Sequence, residues 1–207
     1  MAYEDWNGYT KVDGSTSTIT RTGTPCNHID FVSNRSEDAA LYKDYGIGHF
    51  SGDFTHLIEV TNVSTGYSYA NADIWVLRND TPPVYGNVTG QASPRVRIYL
   101  NKFYLTYYDG SANTHDYADF TVVNGTKYYL TIARSGTTIT VTIRTGSHTG
   151  PVSDTLTLTT NSTAYRYMYS ARVRNTGDNW QRELDIDNLD LQEVVSPSAF
   201  MKPEKRW

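Results

Sequence analysis

The stretch RELDIDNLDLQE, residues 182–193, crowds Glu183, Asp185, Asp187 and Asp190 into a short length of chain. Carboxylates at this density suit two kinds of chemistry. One is glycoside hydrolysis, where a carboxylic acid protonates the leaving oxygen and a second carboxylate attacks the sugar or activates water. The other is capture of calcium, a hard cation that takes clustered oxygen ligands. In an extended strand alternate residues share a face, so Glu183, Asp185 and Asp187 would line one surface. A retaining hydrolase holds its two carboxyl groups only about 5 Å apart. At strand rise the Cα atoms of Glu183 and Asp187 stand roughly 13 Å apart, and aspartate is the shorter reach. Asp185 and Asp187 are the candidate calcium ligands, although the spacing of an EF-hand loop is absent.

The apolar residues between these acids favour a folding role. Leu184 and Ile186 share one parity, whereas Leu189 and Leu191 take the other. A β-bulge at Asp187–Asn188 would return all four to one side. On that reading the segment is a bulged closing strand. Asp185 and Asp187 would then pair with Arg166, Arg172 or Arg174 on the strand before it. No catalytic residue is assigned.

The elements that must position this strand are short runs of alternating polarity, divided by Gly, Asn, Asp and Pro. They are STITR (17–21), HIDFV (28–32), ALYKD (40–44), THLIEV (55–60), DIWVLR (73–78) and RVRIYL (95–100). FYLTYY (103–108), YADFTVV (117–123), YYLTIAR (128–134), TITVTIR (138–144), DTLTLT (154–159) and YRYMYSARVR (165–174) follow. Many short strands at regular spacing predict a sandwich or barrel. In residues 127–146, Leu130 and Ile132 would face the core with Ile139, Val141 and Ile143. Gly136 supplies the positive φ of a tight hairpin, and Thr138, Thr140 and Thr142 form an outer ladder. Tyr165, Tyr167 and Tyr169 make a stripe continued by Ala171 and Val173, which predicts a core-facing strand; Trp75 reads as core too.

Composition agrees. The chain has 207 residues with 38% hydrophobic and 13% aromatic content, including 17 tyrosines, enough for the core of one all-β domain. The formal net charge of −4, without a basic block, argues against a nucleic-acid partner. No apolar run reaches membrane-spanning length, so membrane insertion is not expected. No secretory signal is visible in MAYEDWNGYT. The lone Cys26 excludes an internal disulfide framework. The five histidines show no metal-ligand spacing, and no nucleophile elbow or phosphate loop occurs.

A ligand would sit where aromatic rings meet amides and carboxylates in loops. Three loops qualify. RNTGDNWQRE (174–183) carries Asp178, Asn179 and Trp180. YYDGSANTHDYAD (107–119) carries Tyr107, Tyr108, Asn113 and His115. RNDTPPVYGNVTGQASPR (78–95) carries Tyr85. After residue 193 the alternation stops, and VVSPSAFMKPEKRW reads as an extended tail. It would either fray, as termini usually do, or dock through Phe200, Met201 and Trp207 as an arm on a neighbouring subunit.

Four segments, EDAALYKDYGIGHFSGDFTHLIEV (37–60), KYYLTIARSGTTITVTI (127–143), DTLTLT (154–159) and ELDIDNLDL (183–191), together resemble a known family. It is the LamG-like jellyroll domains of the concanavalin A-like lectin/glucanase superfamily, in the versions found in uncultured phage and environmental sequences. The resemblance covers residues 9–193 and rests on structural rather than catalytic motifs. It implies two antiparallel sheets packed face to face, one of them curved, with first and last strands adjacent. It also implies a glycan-binding or surface-assembly role. The superfamily includes laminarinase-type hydrolases whose active strand reads E-x-D-x-x-E or E-x-D-x-E. Glu183 and Asp185 match the first two positions, but Asp187 and Asn188 are not glutamate, and the hydrolase motif lies mid-chain rather than on the final strand.

The expectation is therefore an all-β, antiparallel two-sheet jellyroll sandwich of concanavalin A-like form over residues 1–193, with a tail over 194–207. Its function would be non-catalytic: a virion structural or decoration subunit with a carbohydrate-binding or attachment role, on a virion or extracellular surface. Its partners would be a glycan or cell-surface polysaccharide, with further copies of itself or other structural subunits. No cofactor is expected beyond a structural calcium. A divergent endo-β-glucanase of the laminarinase type is the alternative.

Overall fold

A computed structural model of the chain describes residues 3–14, 16–33, 39–66, 70–79, 92–161, 164–173 and 181–193. The strands among them are β1 Thr10–Val12, β2 Thr18–Gly23, β3 Cys26–Ser33, β4 Ala40–Asp44, β5 Phe54–Thr65, β6 Ala72–Arg78 and β7 Ser93–Tyr99. They continue with β8 Lys102–Tyr108, β9 Asn113–Tyr117, β10 Lys127–Ser135, β11 Thr138–Thr145, β12 Val152–Thr159, β13 Tyr167–Val173 and β14 Arg182–Glu193. The first sheet runs β1-β4-β13-β6-β7-β8-β9 and the second β12-β11-β10-β5-β14-β3-β2. Every neighbouring pair is antiparallel. The result is a two-sheet jellyroll sandwich.

Alternation explains why these residues form these strands. In β10 and β11 every second side chain is buried, and Leu130, Ile132, Ile139, Val141 and Ile143 enter the common core. Gly136 turns the hairpin at φ 60°, and its N–H donates to Asp53 Oδ1 at 2.8 Å. Thr138, Thr140 and Thr142 pair with Thr159, Thr157 and Thr155 as the outer ladder. From the first sheet, Leu77, Val96, Ile98, Phe103 and Leu105 meet them. Trp75 is fully buried, and its indole N–H donates to His56 Nδ1 at 3.0 Å. Burying a large apolar side chain contributes about 1.5–3 kcal/mol, so the polar end of Trp75 needs this acceptor to keep that gain. At the N-terminus the indole N–H of Trp6 donates to Ser170 Oγ at 2.8 Å, pinning the first turn to β13.

Several expectations change. YADFTVV is not a strand: β9 ends at Tyr117, and Phe120 instead covers the end of the core beside Phe103 and Tyr128, at ring separations of 6.3 and 5.8 Å. The tyrosine stripe is divided. Tyr165 and Ala171 join the main core, but Tyr167 and Tyr169 lie on the outer side of the first sheet, in a second cluster with Ala40, Tyr42 and Val76. The register shift between Tyr169 and Ala171 reverses the parity. The first and last strands are not neighbours. β1 pairs β4 in one sheet, while β14 sits between β5 and β3 in the other.

Candidate functional site

The acidic strand folds as its apolar residues require. Leu184 and Ile186 are buried, the register shifts between Asp187 and Asp190, and Asn188 takes φ 55°. Beyond this bulge Leu189 re-enters the core and Leu191 packs against it. Glu183, Asp185 and Asp187 therefore project from one strand to the outer face of the second sheet. Asp187 is engaged there. One carboxylate oxygen lies 2.5 Å from His28 Nδ1, and the other accepts from Lys127 Nζ at 2.9 Å. Lys127 also donates to Glu59 at 3.1 Å, and Asn188 Nδ2 donates to the other oxygen of Glu59 at 3.0 Å. His28 Nε2 lies 3.1 Å from Asp30.

The arginines expected as partners are elsewhere. Arg166 forks onto Asp44 at 2.7 and 2.5 Å, Arg172 lies 3.5 Å from Asp73 in the other sheet, and Arg174 is outside the described residues. The acids draw their cations from β3 and β10 because those strands flank the outer face to which they point. Burial opposes the His28 imidazolium, but hydrogen bonds to Asp187 and Asp30 outweigh it and raise the pKa above 6.5. Asp185 is shifted upward, chiefly by desolvation. Glu183 and Asp187 leave β14 on one face with Asp185 between them, and Asp187 is held in an ion-pair network. His28, Asp30 and Asp185, rather than Asp185 and Asp187, bring potential metal ligands within 4.8 Å of one another.

The loop candidates divide in the same way. Asp178, Asn179, Trp180, Tyr85, Phe200, Met201 and Trp207 lie outside the described residues. Tyr107 turns inward, and its hydroxyl donates to Asn161 Oδ1 while accepting from Asn161 N at 3.2 Å. Tyr108 is buried and donates to Gly110 O at 2.8 Å, closing a turn whose two N–H groups Asp109 also accepts. Both tyrosines are struts, and neither presents an open ring. Asn113 and His115 are exposed on β9, with Asn113 Oδ1 accepting from Arg95 Nη2 at 2.8 Å.

These two belong to a larger surface, the outer face of the first sheet. Val96 and Ile98 point to the core, so Arg95 and Arg97 point away from it. Register carries that parity across the sheet in rows. One row holds Ala40, Arg172, Asp73, Arg97, Tyr104 and Tyr117. The next holds Tyr42, Tyr169, Val76, Arg95, Thr106 and His115. A third brings Tyr167 beside Arg78 on one half and Ser93 beside Tyr108 on the other. Asp73, Ser93 and Thr106 are fully buried, and none of their side-chain oxygens has a hydrogen-bond partner among the described residues. Buried polar atoms normally find partners, so three such groups on one face mark it out.

At the β7–β9 end this face opens to solvent. Tyr117 is 44% exposed, and its ring lies 5.4 Å from that of Tyr104, itself 5.8 Å from His115. The Arg97 guanidinium lies 5.2 Å from the Tyr99 ring and 5.4 Å from Tyr104, and Lys102 Nζ lies 4.7 Å over Tyr117. Desolvation raises the pKa of the Tyr104 phenol, with Arg97 acting the other way. Sequence reasoning missed Arg97, Lys102, Tyr104 and Tyr117. The signal was present in RVRIYL, where Arg95, Arg97 and Tyr99 alternate with core residues.

No protein-family model matches the chain, and no curated protein matches its sequence. Solved structures do match. The exoplasmic/lumenal domain of VIP36, in a Ca2+/Man-bound form, is similar at 13% identity and a TM-score of 0.58, over 91% of this chain and 90% of its own. The carbohydrate-binding module CBM66 from Bacillus subtilis is similar at 13% identity and a TM-score of 0.52, over 90% and 96%. The family 7 alginate lyase A1-II', as a doubly substituted variant in complex with substrate, is similar at 11% identity and a TM-score of 0.56, over 86% and 83%. At such identities the likeness is one of fold: this chain is built on the concanavalin A-like jellyroll sandwich.

Proposed function

We propose that the protein is a non-catalytic carbohydrate-binding jellyroll of LamG-like type that holds a glycan on the outer face of its first sheet. The observation that carries this reading is the exposed ring of Tyr117, standing beside the exposed polar side chains of Asn113 and His115 on β9. Sugar rings present C–H faces that stack on aromatics and hydroxyls that seek polar side chains such as these. Similarity to structures named as a carbohydrate-binding module and as a Ca2+/Man-bound domain supports it. Isothermal titration against a glycan panel tests it. Binding lost in Tyr117→Ala is the expected result, and absence of binding across a broad panel overturns it.

A second reading, polysaccharide cleavage, is favoured by arginines and tyrosines sharing this face, together with likeness to an alginate lyase. Incubation with alginate and β-glucans, read by reducing ends and by the ultraviolet absorbance of unsaturated uronates, decides between them. The proposed setting is a virion or microbial exterior, with self-association through residues 194–207. Light scattering before and after deletion of that segment tests it, an unchanged mass rejecting the arm. A structural cation at His28, Asp30 and Asp185 would need His28 neutral and its bond to Asp30 given up, and melting curves with calcium and with chelator test whether that exchange occurs.

A further inference from the structure

We propose that the β12 edge of the second sheet is a strand-pairing surface held shut by two carboxylates, Asp116 and Asp154, and that the partner they exclude is a second copy of this chain. On an edge strand alternate residues turn their N–H and C=O groups outward, where they template pairing with another strand. β12 is such an edge, and the N–H groups of Thr155 and Thr157 leave its ladder for side chains. Asp116, on β9 of the other sheet, accepts from Thr157 N at 2.8 Å, while its second oxygen accepts from Tyr117 N at 2.9 Å. Asp154, within β12, accepts from Thr155 N at 2.7 Å, while its second oxygen accepts from Asp119 N at 2.8 Å. Each acid therefore binds one amide on its own side of the gap between the sheets and one on the far side. The two form a reciprocal clasp.

The opposite side of the sandwich is closed in the same manner by different residues. There β2 is the edge, and β1 supplies both caps: Asp13 Oδ1 accepts from Ile19 N at 3.0 Å, and Lys11 Nζ donates to Ile19 O at 3.1 Å. The composition of β12 shows what its clasp restrains. VSDTLTLT alternates threonine with leucine and contains no lysine, arginine or proline, the residues that ordinarily spoil an edge. Its one charge is Asp154, a member of the clasp. Thr155, Thr157 and Thr159 are exposed, as is Val152 at the strand's start. The strand is also self-complementary. A two-fold axis at Leu156 sets Thr155 of each copy opposite Thr157 of the other, so outward groups meet outward groups. An interface of this kind uses the same patch on both copies and stops at two.

The test compares the full chain with Asp116→Ala/Asp154→Ala by light scattering over a concentration series. As concentration rises the double variant should reach about twice the mass of the unaltered chain. Thr157→Pro removes one outward N–H at a position where an edge strand tolerates proline, and added to the double variant it should restore the original mass. Deleting residues 194–207 should leave the doubling intact, which separates it from exchange of a terminal arm. In the unaltered chain the Thr155 and Thr157 amides should exchange with solvent about tenfold or more slowly than free amides. A double variant with the mass of the unaltered chain at every concentration overturns the proposal. So does association that Thr157→Pro fails to relieve, because exposed core rather than a paired edge then holds the copies together. Exchange of the Thr157 amide at the free rate overturns the clasp itself.

Discussion

The outer faces of the two sheets rest on one core and obey one alternation, yet handle charge in opposite ways. On the second sheet each acid of the central network meets a cation or an amide: Asp187 with His28 and Lys127, Glu59 with Lys127 and Asn188. Beside that network run threonine pairs. On the first sheet Arg97 and Lys102 lie over tyrosine rings, and the buried oxygens of Asp73, Ser93 and Thr106 lack hydrogen-bond partners among the described residues. A surface that neutralises itself has little to offer a ligand, because every new contact must first break an internal one. Lys102, held over a ring with no ion pair among the described residues, keeps its N–H groups for an outside acceptor. Charge density alone therefore misleads. On the proposed reading the denser acidic cluster serves the fold.

Experiments that separate the faces should differ in which readout moves. Lys127→Met leaves Glu59 and Asp187 facing each other without their shared cation. With the lysine side chain 39% exposed, water screens part of the loss, and a destabilisation of about 2 kcal/mol in urea unfolding is expected. Glycan affinity should not follow. Tyr117→Ala should do the reverse, lowering affinity roughly tenfold, or about 1.4 kcal/mol, with little change in melting temperature at an exposed edge position. If either variant moves both readouts, the separation between the faces fails.

A smaller effect is expected from pH. His28 has its pKa raised in the folded protein by Asp187 and Asp30, so its contribution is fully present below its ordinary value near 6.5. That contribution is lost as pH rises through the higher folded value. Stability followed from slightly acidic to mildly alkaline conditions should decline, and His28→Gln should flatten the decline. The smallest effect belongs to Glu183→Gln. It should leave glycan binding and stability nearly unchanged; loss of a measured polysaccharide turnover in this variant would move the functional centre to the second sheet.

Much of this architecture is legible in the residues alone. Alternation marks most strands, and the phase slip between Ile186 and Leu189 locates the bulge at Asp187–Asn188. Failures occur where parity meets topology. Phe120 and Val122 alternate like a strand but serve as a lid on the core's end. Tyr167 and Tyr169 alternate like core residues but stand on the far side of their sheet, because a bulge lies between them and Ala171. The partners of Asp187 come from β3 and β10, far away in sequence, and no local pattern signals them. Arg95, Arg97 and Tyr99 could be read as an outward row, but only the pairing of β7 with β8 and of β8 with β9 shows that Tyr104, His115 and Tyr117 complete it.

In both sheets a late strand occupies an interior position: β13 lies between β4 and β6, and β14 between β3 and β5. A ribosome delivers these two segments after all their neighbours. Until then each half-built layer carries two raw borders able to pair with the wrong partner. The nascent polypeptide is thus obliged to wait, and cooperative closure of both layers follows the emergence of β13 and β14. Any truncation upstream of residue 182 would yield two unjoined fragments of a layer, prone to clump, rather than a smaller working module.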